Sequence, residues 1–215
     1  MEKSKTKAKF SARELTLIGI FAAITAVMAQ IAIPLPFSPV PISFGLVAVY
    51  ISGILLKPKH AVFAQICYLI LGAVGVPVFS NFRGGFDALI GPTGGYLFVY
   101  PLIAWIVSYS LNSYKSRQAE RNQSKAFVLF KAAISMCIAH LVLYLGGTLW
   151  LSFTTGTTFI ACLSLAVFPY IPLDIVKILF CIFVIVPFRS RLLSLNLLLI
   201  DDAQTKRVTD KTSVA

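Results

Sequence analysis

The sequence predicts an all-α membrane protein, a bundle of six transmembrane helices with both termini on the cytoplasmic side. Three observations carry that expectation. Apolar residues make up 58% of the 215-residue chain and charged residues 13%, with a mean hydropathy of +0.85. Soluble domains are roughly a quarter charged and less than half apolar, and a soluble core of this size has no room for so many apolar side chains. The apolar residues fall into six runs. The basic residues, which give a formal net charge of +11, fall in short blocks between those runs. Such blocks are topology signals, not a phosphate-binding face, so nucleic acid is not expected as a partner.

A hydrocarbon core of ~30 Å needs ~20 mostly apolar helical residues. The first expected span covers residues 15–33 and follows a basic segment, 1–13, with Lys3, Lys5, Lys7, Lys9 and Arg13. The apolar run continues to span length without a small-residue cleavage site, so a removable signal is not expected. Within it, Gly19, Ala22, Ala26 and Ala29 recur at spacings of three and four, a stripe that lets helices approach closely. The stripe serves either packing within the bundle or docking of another membrane subunit; residue chemistry supports both.

The second and third spans, 42–56 and 61–76, are short and are separated by Lys57 and Lys59. The fourth, 93–111, leads to Lys115, Arg117, Arg121 and Lys125, and the fifth covers 126–150. The sixth, 159–188, is followed by Arg189 and Arg191. With six spans all these blocks share one face, which the positive-inside rule makes cytoplasmic. The opposite connections, 34–41, 77–92 and 151–158, hold only Arg83 and Asp87 as charges. The expected organisation is a cytoplasmic segment 1–13, a membrane domain 14–190 and a polar, disordered cytoplasmic tail 191–215. The expected location is the cell membrane, multi-pass, in a bacterial inner or plasma membrane. The bilayer itself is then a partner, with anionic lipid attracting the basic segments.

Enzymatic chemistry has no residues to carry it. No phosphate-loop motif occurs, because Gly91-Pro92-Thr93-Gly94-Gly95 lacks its lysine and preceding strand. His60 and His140 stand alone in sequence, and His140 reads as a packed intramembrane residue more than a metal ligand. The four cysteines form no C-x-x-C pair and read as apolar packing residues. No serine has a nucleophile-elbow setting. Neither metal nor cofactor is expected, and the protein is not expected to be an enzyme.

Ionisable residues within spans are functional-site candidates by default. Lys131 lies near the start of the fifth span, where its ammonium can reach the interface. Asp174 and Lys177 lie well inside the sixth, and a separation of three puts both on one helix face. Pro169 and Pro172 each remove a helical N–H, so the helix is expected to kink or unwind just outside the pair. A buried ion pair is a poor source of stability. A carboxylate beside an ammonium can instead accept N–H groups and donate to a carbonyl, which suits a cyclic urea or amide. The remaining polar feature is the stretch 81–96, which carries five of the chain's 13 glycines between two apolar runs. Glycines permit tight turns and close approach of a ligand to the backbone.

These residues bear a resemblance. Residues 75–86 (Gly-Val-Pro-Val-Phe-Ser-Asn-Phe-Arg-Gly-Gly-Phe) and 89–96 (Leu-Ile-Gly-Pro-Thr-Gly-Gly-Tyr) resemble the BioY family, the biotin-binding S components of energy-coupling factor (ECF) transporters. So do the Pro172-x-Asp174-x-x-Lys177 element and the Ala22-x-x-x-Ala26 element. The resemblance covers approximately residues 12–190. It implies a six-helix bundle that captures biotin from outside, then releases it inward with a membrane T component and two ATP-binding subunits. It assigns the ureido ring to Asn81, Asp174 and Lys177, and subunit docking to Ala22 and Ala26. For the ligand's carboxylate, Arg83 and the neighbouring backbone N–H groups at Gly84 and Gly85 are the donors available on the outer side. Phe79, Phe82, Tyr96 and Tyr170 are the expected apolar walls. Arg83 has a second reading, as the i,i+4 partner of Asp87. The alternatives in function are an S component for another vitamin and a stand-alone biotin facilitator.

Overall fold

A computed structural model describes residues 11–112 and 124–194. The expectations for Lys3, Lys5, Lys7, Lys9, Lys115, Arg117, Arg121 and the tail beyond 194 lie outside the described residues.

Helix α1 (Ala12–Gln30) starts at a capping box: the Glu14 backbone N–H donates to Ser11 Oγ at 3.3 Å, and the Ser11 N–H donates to Glu14 Oε2 at 2.8 Å. A β-hairpin follows, β1 (Ala32–Leu35) against β2 (Ser38–Ser43), antiparallel, with Ala32 opposite Ser43 and a register irregularity between Ile33 and Leu35. Helix α2 (Gly45–Leu55) is buried at every position except Ile51. Helix α3 (Pro58–Ala73) opens on Pro58, which needs no partner for a missing N–H in a first turn. The connection 74–93 holds a 3₁₀ turn (Ser80–Phe82) and the short α4 (Phe86–Ile90).

Helix α5 (Gly94–Asn112) packs along α6 (Lys125–Thr155), which Ser124 caps and Gly156 ends at φ +68°. Helix α7 (Phe159–Ala166) gives way to a turn at 167–170. The chain then runs through α8 (Ile171–Phe180), a wider π turn (Cys181–Ile185) and α9 (Val186–Ser194). Helix α2 occupies the centre, against α1 and α5, and α3 joins α1 to α5.

Among the described residues, four stretches are long and apolar enough to cross a membrane: Ala12–Gln30, Gly94–Asn112, Lys125–Thr155 and Ile171–Leu192. Helices α2 and α3, at 11 and 16 residues, are shorter than the ~20 a straight crossing needs, as their sequences foretold. Two expectations are corrected. The fold is mostly helical but not all-α, because the 34–41 connection belongs to a hairpin. The second is one of degree: the kink or unwinding expected within span 159–188 is a full turn at 167–170 that leaves two helical stretches. Pro172 sits in the first turn of α8, so the prolines begin a helix there and do not merely bend one.

The perimeter is apolar. Val27, Phe130, Leu141, Val176 and Phe183 are each more than 60% exposed. An apolar surface of this extent marks a membrane interaction surface.

Candidate functional site

Helix α8 presents Asp174 and Lys177 inward, 6% and 8% exposed, with Lys177 Nζ donating to Asp174 Oδ1 at 2.9 Å. Starting α8 at Tyr170 places the carboxylate in the first turn and the ammonium one turn later. The other carboxylate oxygen faces α6. Tyr144 Oη donates to Asp174 Oδ2 at 2.7 Å, and His140 Nε2 lies 3.0 Å from the same oxygen. An ionised carboxylate only accepts, so Nε2 carries the hydrogen. Tyr50 Oη, from α2, lies within hydrogen-bond distance of His140 Nδ1, at 2.8 Å. Three helices therefore converge on one carboxylate. Asp174 already accepts three of the roughly four hydrogen bonds its oxygens can take, and Lys177 gives it one of three N–H groups. The chemistry left over is one acceptor site and two donors, side by side.

His140 was read in sequence as a packed intramembrane residue, and Tyr144 and Tyr50 were not singled out. The first carried a partial signal: an ionisable residue in an apolar run, with Tyr144 four residues on and so on the same face. Tyr50 had no signal, because only the fold brings it against α6.

Tyr170 is buried and its hydroxyl donates to the carbonyl of Val40, fastening the hairpin to the start of α8. Tyr96 is 8% exposed, its Oη 3.4 Å from Thr148 Oγ1. Phe79 is buried edge-on against Tyr68, centroids 5.5 Å apart, and Tyr68 stacks on Tyr100. These aromatic side chains sit at the end of the bundle that holds the hairpin and the connection 74–93.

The glycine-rich loop is built for close approach. Phe79 and Arg83 pair through backbone hydrogen bonds of 2.9 and 3.2 Å, and Asn81 and Phe82 at the tip both take positive φ, 62° and 55°. A Cβ on Gly84 would stand 2.4 Å from the Val76 carbonyl oxygen, and one on Gly94 1.6 Å from that of Leu89. Asn81 and Arg83 are exposed in this conformation, and among the described residues the hydrogen-bond partners of Asp174 are His140, Tyr144 and Lys177. Phe82 is 72% exposed, so it walls nothing here. The Gly85 N–H donates to the Gly72 carbonyl at 2.7 Å, so it closes the loop and is not available to a ligand. Among the described residues no ion pair joins Arg83 to Asp87. Gln30 was also missed: its Oε1 accepts from the Phe82 N–H at 2.9 Å and its Nε2 donates to the Pro77 carbonyl, tying the loop to the end of α1. Trp150 Nε1 donates to the Gly91 carbonyl at 3.0 Å and holds the loop's other end.

On α1, Ala22 and Ala29 are buried at 1% and 2%, while Ala26 is half-buried and a Cβ on Gly19 would meet nothing within 4 Å. Half of the small-residue stripe thus packs inside the chain. No group of three or more metal-ligating side chains occurs among the described residues.

An apolar perimeter around a buried, five-residue polar site defines a multi-pass membrane protein with an internal site for a polar group. The chain belongs to the BioY family, whose model matches residues 2–194. It is 34% identical over 163 residues to the biotin transporter BioY2 of Lactococcus lactis subsp. cremoris (strain MG1363), covering 76% of this chain and 82% of that protein. It is 35% identical over 166 residues to a probable biotin transporter BioY of Pyrococcus horikoshii, covering 77% and 90%. A crystal structure of the S-component for biotin from an ECF-type ABC transporter matches with a TM-score of 0.72 at 22% identity, over 85% of this chain and 95% of that one. The two share a fold.

Proposed function

We propose that this chain captures biotin at the outer face of the membrane as the S component of an ECF-type transporter. The buried Asp174–Lys177 pair carries this reading. Its leftover acceptor takes one of the two N–H groups of a ureido ring, and its two leftover donors take the ring's carbonyl. Asn81 adds an amide when the loop closes over the ring, Phe79, Tyr96 and Tyr170 supply apolar walls, and Arg83 with Gly84 meets the carboxylate at the rim. The chain works without catalysis or a cofactor. A membrane T component and two ATP-binding subunits drive release, and α1 offers Gly19 and Ala26 to the T component while Ala22 seals the interior side.

In this reading α1, α2, α3, α5, α6 and α7–α9 are the six crossings, both termini are cytoplasmic, and the hairpin and residues 74–93 face outward. The segments 1–13 and 191–215 flank the membrane domain 14–190 on the inner side. Relatives described as biotin transporters support the ligand assignment. Titration calorimetry of the purified protein tests it: the expected affinity is tighter than about 1 μM, or about −8 kcal/mol, and lost in Asp174→Ala. Weaker binding, or binding that Asp174→Ala leaves unchanged, would sink the site. Uptake of labelled biotin that persists without the ATP-binding subunits would replace the S-component reading with that of a stand-alone carrier.

A further inference from the structure

The loop 75–85 carries Asn81, and its base and its tip are held by different means. The base is fixed by backbone. The Gly75 and Gly85 N–H groups both donate to the Gly72 carbonyl, at 3.1 and 2.7 Å, and Phe79 and Arg83 pair across the neck. The tip is gripped from another element. Gln30, half-buried at the last position of α1, accepts from the Phe82 N–H at 2.9 Å through Oε1 and donates from Nε2 to the Pro77 carbonyl at 3.3 Å. Nε2 also donates to the Ala26 carbonyl, one turn back on α1, at 3.2 Å. The amide oxygen and both amide hydrogens are thereby in use. The partners also fix which end of the amide is which, because a backbone N–H can only donate and a carbonyl can only accept.

The conformation under this grip is a strained one. Asn81 stands at φ 62°, ψ 36° and Phe82 at φ 55°. Asparagine visits the left-handed region, but a side chain as bulky as phenylalanine rarely does, because its Cβ crowds the following carbonyl oxygen. Phe82 gains no burial in return, since it is 72% exposed. A strained residue persists only where its surroundings hold it, and at the Phe82 N–H the holder is Gln30. Once let go, the 81–82 peptide turns towards the ordinary negative-φ region, and the direction of the Asn81 side chain changes with it. In the held state Asn81 is exposed, while the partners of Asp174 come from α6 and α8.

We propose that Gln30 is a positioning residue for the ligand: it latches the loop tip with Asn81 turned away from Asp174 and Lys177, and the Phe82 N–H leaves Gln30 when Asn81 closes over the bound ring. This rests on the reading of Asn81 as a ureido contact. The hydrogen bonds of Gln30 favour the latched tip, the strain at Phe82 favours release, and the ligand decides between them by giving Asn81 a partner. A binding-competent state that is populated only in part weakens the apparent affinity in proportion. The latch therefore lowers affinity, and its loss should raise it.

The sign of one substitution tests this. Gln30→Ala and Gln30→Leu both remove the amide, the first without adding apolar surface. In titration calorimetry of the full chain, each should bind biotin about fivefold more tightly than the parent, the factor for about one net hydrogen bond. Thermal unfolding gives a second readout. Each variant should melt below the parent without biotin and level with it at saturating biotin, since the bonds removed are absent from the bound state. Unchanged affinity, with melting lowered equally in both conditions, would make Gln30 a tether kept in both states and overturn the proposal. Weaker binding would place Gln30 in support of the closed loop and overturn it too. A parent chain that binds no biotin, or binds it regardless of Asp174→Ala, overturns the functional reading and the latch with it. A parent that binds as expected, while Gln30→Ala leaves its affinity unmoved, overturns the latch alone.

Discussion

At the scale of single residues, the site is a carboxylate with more partners than a simple ion pair would give it. Asp174 and Lys177 were legible because ionisable side chains three apart stand out in an apolar run. The imidazole beside the carboxylate was legible only as an ionisable residue in an apolar run, since a lone histidine carries no sign of which partner a separate helix brings to it. Its removal gives the first prediction. His140→Ala takes one hydrogen bond from a charged acceptor, an interaction worth about 1.5–3 kcal/mol, so biotin affinity should fall by about 10- to 100-fold in calorimetry. An unchanged affinity would make the histidine mere packing. The second concerns the pair itself. Asp174→Ala leaves a buried ammonium without its counter-charge, which costs about 3–5 kcal/mol. The double substitution Asp174→Leu with Lys177→Met should recover most of that loss in thermal unfolding yet bind no biotin. Recovery of binding as well would remove the pair from the site.

At the scale of elements, glycines decide how α5, α6 and the outer loop fit together. A Cβ on Gly147 would stand 2.2 Å from the Tyr96 ring, and one on Gly95 2.1 Å from the Trp150 Cβ. Gly147→Ala should therefore lower stability by about 1–3 kcal/mol through overpacking. Gly19→Ala, on an open face of α1, should be neutral or raise it by up to about 1 kcal/mol. Comparing their melting temperatures checks both; equal shifts would show that α5 and α6 are less closely fitted than described. The run of glycines in 81–96 was legible as a place of close backbone approach, but its purpose is mostly to seat the loop on α3, α4 and Trp150. The hairpin was not legible. Pro34, Pro36, Pro39 and Pro41 argue against strands, and only pairing at the sheet's two free edges lets such a sequence form one. A kink before α8 was anticipated from Pro169 and Pro172, though not that it would be a full turn at 167–170 separating α7 from α8.

At the scale of the whole molecule, the two ends of the bundle are held differently. At the end away from the hairpin Arg189 is fully buried, its Nε and Nη2 donating to Asn112 Oδ1 at 3.1 and 3.0 Å and its Nη2 to the Leu111 carbonyl at 2.7 Å. Asn112 Nδ2 in turn reaches the carbonyls of Gly53, Ile54 and Leu56, the acceptors that the end of α2 leaves without helical partners. One arginine and one asparagine thus bind α2, α5 and α9 together. The hairpin end depends on a few side-chain bonds: Tyr170 to Val40, two from Gln30 to the loop, Trp150 to Gly91. Segments with few buried contacts open at lower free energy than a packed core, so in the proposed function ligand entry belongs at the hairpin end while the Arg189 end stays shut. Hydrogen exchange should show this asymmetry. Amides of 32–43 and 77–92 should exchange faster than those of 108–112 and 186–190, and biotin should slow the first two groups and leave the second two unchanged. Protection gained equally at both ends would mean that the ligand tightens the whole bundle, and that the arginine knot is no fixed base for a moving mouth.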